Sequence, residues 1–337
     1  MQVAHIFSGN PNSGAASGAI NLCRGLFEKQ IDIKIFNDVC DFTLKDKEIF
    51  FKENLTKKIF SLKNKILDRY IFFDFKSRVK FSSGLTGSMP IKCDNINKFD
   101  IVHLHWINNG FFSLNNLEKI KVPIVWTIRD MWPLTGGCHY SLGCKKFYEK
   151  CESCPQLNSY IPKIDQVNKI FNIKKGLLEN LDINIVPISK WLENETKKSV
   201  ILKKKNITQI YNCVDDKIFF PEDIDRARSE LNLPLNKFII LIGSQKLNDN
   251  IKNNILIDNI SKEISDEEII FISFGEHNNF FKNIKNFGFI KDKNILRKIY
   301  SSSNVFLSFS KEEAFGKTLV ESLMCNTPVI VNDNHSS

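Results

Sequence analysis

Short apolar runs of strand length alternate with segments of helical period along nearly all 337 residues, and this alternation constrains the fold more than any other feature. "QVAHIF", "IDIKIF", "FDIVHLHW", "VPIVWTI" and "INIVPIS" have the character of strands, and "AINLCRGLFEKQ", "NNLEKI" and "VNKIFNIKKGLLENL" between them carry a helical pattern. Strands that alternate with helices pair in parallel and are covered on both faces. The pattern restarts near Asn236 with "KFIILIGS", then "IIFISFG", the helix "ILRKIYSSS", "NVFLSFS", a helix around Glu321 and "PVIV". The predicted class is α/β with two Rossmann-like parallel-sheet domains. The first covers 1–215 with a Cys-rich insert at 136–156, a connection holding Pro221 and Pro234 covers 216–235, and the second covers 236–337. Ligands of such sheets lie outside the carboxyl ends of the strands.

Several function classes are excluded. No apolar run approaches the roughly 18 residues of a membrane-spanning helix, and the start "MQVAHIFSGNPNSG" lacks the basic and apolar regions of an export signal, so a cytoplasmic location is expected. The net charge is +9, and 57–80 alone hold eight Lys/Arg against two Asp. Ile59, Leu62 and Ile66 recur there at helical spacing, with Phe72, Phe73 and Phe75 following. Such a stretch suits peripheral contact with an anionic membrane surface, or is a solvated helix packed by one face on its own domain. No compact finger, RNP-like strand or recognition-helix pattern accompanies the charge, so no nucleic-acid partner is expected.

The stretch "SKEEAFGKTLVESLMCNTPVIV" is the strongest candidate for chemistry. Glu313 follows a strand, Ala314 to Thr318 turn into a helix through Gly316, and Glu321 lies inside that helix, whose Leu319, Leu323 and Met324 are expected to face the core. Backbone N–H groups at a helix start suit a pyrophosphate, and glycine allows close backbone approach. Two carboxylates beside that start could accept hydrogen bonds from sugar and ribose hydroxyls. The plainer alternative is an exposed Glu321 and a Glu313 favoured by the helix dipole.

Nine cysteines without an export signal point to free or metal-bound thiols. Cys138, Cys144, Cys151 and Cys154 follow the spacing C-x5-C-x6-C-x2-C, which ends in a metal knuckle but opens more widely than usual for structural zinc. A structural zinc is one reading; an iron–sulfur cluster and disulfides are the others, and His139 could replace one thiolate.

In these stretches the chain resembles the retaining glycosyltransferases of family 4, which have the two-domain GT-B fold and an E-x7-E signature. The resemblance implies that Glu313 lies near the transferred sugar, that Glu321 binds the ribose, and that Phe315, Gly316, Lys317 and Thr318 hold the diphosphate. "VPISKWLENE" and "IYNCVDDKIFFP" resemble further family segments, with Cys213 where glycine is usual. "VHLHWINNGFFSLNNLEKIKVPIVWTIRDMWPLTGGCHYSLGCKKFYEKCESCPQL" resembles a subgroup acting in bacterial O-antigen, capsule and exopolysaccharide assembly. Arg129 stands where relatives often carry histidine near the donor sugar, and is expected to contact phosphate or an acidic group. His103 and His105 share one face of a strand, from which His105 could reach the site. Relatives hold the diphosphate with a basic pair followed by glycine; here Lys252 is the best match, with Ile251 for the other basic residue, Asn253 for the glycine, and Lys246 as rival. The Gly14 to Gly18 loop would face the crevice, Gly14 on the donor side.

The function implied is metal-independent transfer of a sugar from a nucleotide-sugar donor to a lipid-linked or polysaccharide acceptor. A non-catalytic or decayed relative, and a metal-stabilised binder of anionic polymers, are the alternatives. Family members continue beyond the strand matching "PVIV", whereas this sequence stops at Ser337, so a truncated second domain with an uncovered sheet edge, lower stability and doubtful activity is expected.

Overall fold

The computed structural model describes residues 1–45, 48–72, 79–89, 93–157, 165–264, 266–276 and 284–333. The chain divides into two compact units, Met1–Cys213 and Val214–Ser337. Phe73 and Phe75 of the basic stretch lie outside the described residues.

Unit 1 runs β1 (Gln2–Ile6), α1 (Gly14–Glu28), β2 (Asp32–Phe36), β3 (Cys40–Lys45), β4 (Glu48–Glu53), α2 (Leu55–Ile71), α3 (Cys93–Ile96), β5 (Ile101–Leu104), β6 (Ile124–Ile128), α4 (Gln166–Glu179), β7 (Ile183–Pro187), α5 (Lys190–Lys198) and β8 (Asn206–Ile207). Its main sheet has the order β2-β1-β5-β6-β7-β8, parallel throughout, and β3 and β4 form a separate antiparallel pair. The expected helix at "NNLEKI" is instead a 3-10 turn over Leu114–Lys119 that buries Leu114 and Leu117. Side chains three apart eclipse in that geometry, which suits a short apolar pair better than a longer helix.

Unit 2 runs α6 (Ile224–Glu230), β9 (Phe238–Lys246), α7 (Asn254–Glu263), β10 (Ile269–Glu276), β11 (Lys285–Asn286), α8 (Lys293–Ser301), β12 (Val305–Ser308), α9 (Lys317–Met324) and β13 (Val329–Val331). The order is β11-β10-β9-β12-β13, again parallel. On β9, Ile239 and Leu241 join one apolar cluster with Ile272, Tyr300 and Phe306, whereas Ile240 and Ile242 join another with Ile257 and Leu307. Alternate side chains of a strand point to opposite faces, so β9 is buried on both. The stretch 216–235 is more than a connection. It contains α6, and Phe219 and Leu233 pack into the unit 2 core. Buried Arg228 donates to the carbonyls of Ser302, Leu235 and Lys237 and to Asn304 Oδ1.

Parallel pairing puts His5 of β1 opposite His103 of β5, and His105 follows just past that strand. The rings of His103 and His105 stack with centroids 4.3 Å apart, and His5 Nδ1 lies 3.1 Å from His105 Nε2. Burial, reinforced by Arg129, lowers the His5 pKa from 6.5 to about 4. Burial also holds His103 and His105 well below the ordinary value. The folded unit therefore keeps these rings neutral where the unfolded chain takes up protons. Their penalty on folding is absent above about pH 6.5 and grows as pH falls below it, reaching its full size for His5 below about 4. All four tryptophans, Trp106, Trp126, Trp132 and Trp191, lie in unit 1, so fluorescence-monitored urea unfolding reports on it. The expected midpoint is lower at pH 5 than at pH 7, and His5→Gln narrows the gap; equal gaps in both proteins contradict the assignment.

Candidate functional site

In unit 2 the loop after β9 and the loop after β12 meet at the carboxyl ends of neighbouring strands. The backbone N–H of Lys311 donates to the Ile251 carbonyl at 2.8 Å, and Lys252 forms an ion pair with Glu313. Ser310 Oγ donates to the same Glu313 oxygen at 3.1 Å. Both groups of the pair are largely buried, which weakens solvent screening and holds the loops together. Lys246, the rival, is exposed at the end of β9. Asn253 adopts the left-handed conformation with φ 55°, a region that asparagine tolerates better than most residues. This is why it can stand where the family resemblance leads one to expect glycine.

Gly316 is left-handed at φ 68°, ψ 51° and immediately precedes α9. A side chain there would be strained by that φ, and its Cβ would come within 2.8 Å of Leu319 Cδ1. The chain therefore turns sharply from Glu313 into the helix, where the Leu319 N–H donates to the Gly316 carbonyl at 2.9 Å. Phe315, Lys317 and Thr318 around this turn are half-buried.

Glu321 is buried rather than an ordinary surface residue. Tyr300 donates its hydroxyl to Glu321 Oε2 at 3.2 Å, and Lys317 Nζ lies 3.6 Å from Oε1, one helical turn away. Burial pushes the Glu321 pKa up, opposed by Lys317 and Tyr300. One expectation for α9 is corrected: Leu319 and Met324 pack on the core, but Leu323 is 54% exposed. Leu323 is two positions from Glu321, and inward-facing Glu321 and Ser322 take the space its side chain was expected to fill.

In unit 1 the loop after β6 supplies Arg129, which is buried. Its Nη1 donates to Asn212 Oδ1 at 3.2 Å and its Nη2 faces His105 Nδ1 at 3.4 Å. Burial lowers its pKa to about 10, so it remains a cation at neutral pH. Because the guanidinium can only donate, His105 Nδ1 is an acceptor, so Nε2 carries the proton given to His5 Nδ1. His5 Nε2 is then a buried N–H without a partner among the described residues, and Arg129 Nε and Ser8 Oγ are likewise unpartnered among them. Among the described residues, only His5, His103 and His105 bring three ligand atoms within 4.8 Å of one another. They read as a hydrogen-bonded stack, since the adjacent permanent cation disfavours a bound metal.

Gly14 does not lie in a loop: it opens α1, and nothing lies within 4 Å of the position a side chain would take. Gly18 is the constrained glycine, since a Cβ would come within 2.4 Å of Arg129 Nη1. The sequence signal available for it was only its place one helical turn after Gly14.

Cys138, Cys144, Cys151 and Cys154 line one cavity, all four unpaired. His139 is not among their companions. Its Nδ1 bonds Asp130 Oδ2 at 2.6 Å and its Nε2 bonds Ser82 Oγ at 2.9 Å, so both ring nitrogens are engaged elsewhere.

Residues 276–337 match the family described as glycosyl transferases group 1. Over 123 residues, 35% of the chain, the sequence is 28% identical to the putative colanic acid biosynthesis glycosyl transferase WcaC of Escherichia coli K12, and it spans 29% of that relative's length. Among solved structures, sucrose-phosphate synthase from Thermosynechococcus elongatus superposes with TM-score 0.64 at 18% identity, over 98% of this chain and 80% of that one. Anabaena HepE in complex with UDP-glucose superposes with TM-score 0.55 at 13% identity, also over 98% and 80%. The chain thus has the GT-B fold of glycosyltransferases, and its segment containing Glu313, Gly316 and Glu321 is the part that matches the glycosyl transferases group 1 family.

Proposed function

We propose that the protein is a retaining glycosyltransferase that moves a sugar from a nucleotide-sugar donor to a lipid-linked or polysaccharide acceptor in bacterial surface polysaccharide assembly. The observation that carries this reading is the left-handed Gly316 at the start of α9 with one carboxylate on either side of it, Glu313 paired to Lys252 and Glu321 to Tyr300 and Lys317. The donor diphosphate lies against the first turn of α9, and Lys252 and Lys317 balance its charge. Buried Glu321 accepts hydrogen bonds from the ribose hydroxyls, and Glu313 lies beside the sugar. The rate enhancement is electrostatic: fixed amides and ammonium groups stabilise the charge that grows on the departing nucleoside diphosphate. Transfer needs no metal ion in this scheme. The similarity to a WcaC-type protein and the UDP-glucose carried by a structural neighbour support the donor and the polysaccharide context. In unit 1, unpartnered His5 Nε2, Arg129 Nε and Ser8 Oγ are groups that the hydroxyls of a polar acceptor could satisfy.

The donor reading is tested by ligand-detected NMR against UDP-, GDP-, dTDP- and ADP-sugars. Wild-type protein is expected to select one nucleotide, and Glu321→Gln to weaken it by about tenfold or more, since a charged acceptor is lost. The ionised carboxylate is the better acceptor, so wild-type affinity falls as pH drops through the raised Glu321 pKa. The Gln variant, compared at equal foldedness, stays flat. Equal affinity and equal pH dependence of the two proteins would remove the ribose role.

The membrane part of the proposal rests on α2. Among the described residues of this helix the buried ones are polar: Ser61 donates to Asp38, and Asp68 accepts from the Ser83 backbone. Leu55, Ile59, Leu62, Ile66 and Tyr70 form one stripe and are each at least half exposed. Lys63 and Lys65 are exposed on the same helix. An apolar stripe set among basic residues fits the surface of an anionic bilayer. No helix among the described residues is long and apolar enough to cross a membrane. Flotation with phosphatidylglycerol vesicles should carry the protein up, phosphatidylcholine vesicles should do so much less, and Leu62→Glu with Ile66→Glu should abolish the difference. Binding that ignores lipid charge and survives the substitutions contradicts the surface assigned.

A further inference from the structure

The 138–154 segment brings four thiols to one place in unit 1, and glycosyl transfer gives them no task. Cys138, Cys144, Cys151 and Cys154 line a cavity of about 20 Å³, room for one water-sized or ion-sized guest. Cys138 and Cys151 are buried, the other two half-buried, and none is in a disulfide. We propose that these four thiols bind one Zn²⁺ ion, which fixes the loop that carries them.

Three observations support thiolate ligation. First, hydrogen bonds fix the backbone of the cysteines around the cavity: Thr135 Oγ1 donates to the Cys138 carbonyl at 2.7 Å and Asn168 Nδ2 to the Cys151 carbonyl at 3.1 Å. Contacts of this kind hold ligating residues in place, as outer-shell hydrogen bonds do at metal sites generally. Second, the Cys151-Glu152-Ser153-Cys154 turn places Ser153 in the left-handed region at φ 44°. That strained turn curls the C-x2-C pair about one point, and an ion held there compensates the strain.

Third, a buried amine with no carboxylate partner among the described residues is held on the carbonyl of Thr135, which lines the cavity. Lys174 of α4 is wholly buried. Its ammonium donates to the carbonyls of Trp132 at 2.6 Å and Thr135 at 2.8 Å and lies 3.8 Å from the centre of the Trp132 ring. No carboxylate among the described residues comes within ion-pairing distance of it. Four thiolates around Zn²⁺ carry two net negative charges, a counter-charge for the protonated form of Lys174. Zn²⁺ displaces the four thiol protons to solvent as four Zn–S bonds form, with no change of oxidation state. All four positions are then filled by protein, so the role is structural. No three of the four sulfurs lie within 4.8 Å of one another; binding therefore draws the loop inwards, and the energy of ligation becomes stability of the fold.

The test uses the full chain under reducing conditions, stripped with a chelator and reloaded with Zn²⁺ or Co²⁺ alone. One metal ion per chain by elemental analysis is expected, and the Co²⁺ form should show thiolate-to-cobalt charge transfer with the intense visible bands of tetrahedral coordination. Cys154→Ser should bind at least tenfold more weakly, whereas Cys213→Ser, an exposed cysteine outside the cluster, should bind as the wild type does. Stripping should lower the unfolding midpoint read by tryptophan fluorescence, and Zn²⁺ should restore it. The proposal is overturned if the folded, reduced chain takes up no metal or gives an octahedral cobalt spectrum. Iron–sulfur absorption in freshly purified protein, or disulfides among these four cysteines with full stability, overturns it equally. The wild-type cobalt spectrum decides the matter even where a cysteine variant fails to fold.

Discussion

Parallel strand pairing is the constraint on which the rest of the molecule depends. A parallel neighbour can be reached only through a crossover, so every connection of this kind begins in a loop at a strand's carboxyl end. Where the strand order reverses, two such loops diverge and leave room for a ligand. In unit 2 the reversal falls between β9 and β12, the strands whose loops carry Lys252 and Glu313. In unit 1 it falls between β1 and β5, the strands of His5 and His103, with His105 just beyond. The chemistry-bearing residues of each unit thus gather at the one place where its sheet leaves an opening.

At these openings the two units balance charge differently. Unit 2 pairs its groups: Lys252 with Glu313, Lys317 with Glu321. A buried carboxylate left alone would neutralise by taking up a proton, and the nearby ammonium and phenol groups oppose that for Glu321. An anionic ligand arriving here finds cations already fixed by their own partners, so little reorganisation is needed when charge develops. Unit 1 instead sets one permanent cation, Arg129, against imidazoles that burial keeps neutral. Gly18 leaves the space that the guanidinium occupies, and any side chain at that position would displace it.

Local features of this fold were legible in sequence, and long-range ones were not. The βαβ alternation, the turn at Gly316 and the two glutamates flanking it are set by spacing within one stretch, and the structure has them as read. Proline brackets suggest a bare connection at 216–235, yet Arg228 there meets the Ser302 carbonyl more than seventy residues away, which no local pattern records. His5 joins His103 and His105 only through strand register. The burial of Ser61 and Asp68 on α2 has the same origin, since their partners Asp38 and Ser83 are distant in sequence. Helical period alone identifies an amphipathic helix but leaves open which face is covered. Sequence marks Gly14 and Gly18 alike, whereas only the second has Arg129 against its backbone.

The central claim is that a nucleotide sugar sits on unit 2 between the loop after β9 and the start of α9. Hydrogen–deuterium exchange with and without saturating UDP-, GDP-, dTDP- or ADP-sugar tests it most directly, because it locates the ligand without assuming a reaction. The account predicts protection by one of these donors concentrated in residues 246–254 and 310–321. Protection confined to other segments, or none with any donor in a chain shown to be folded, would contradict it.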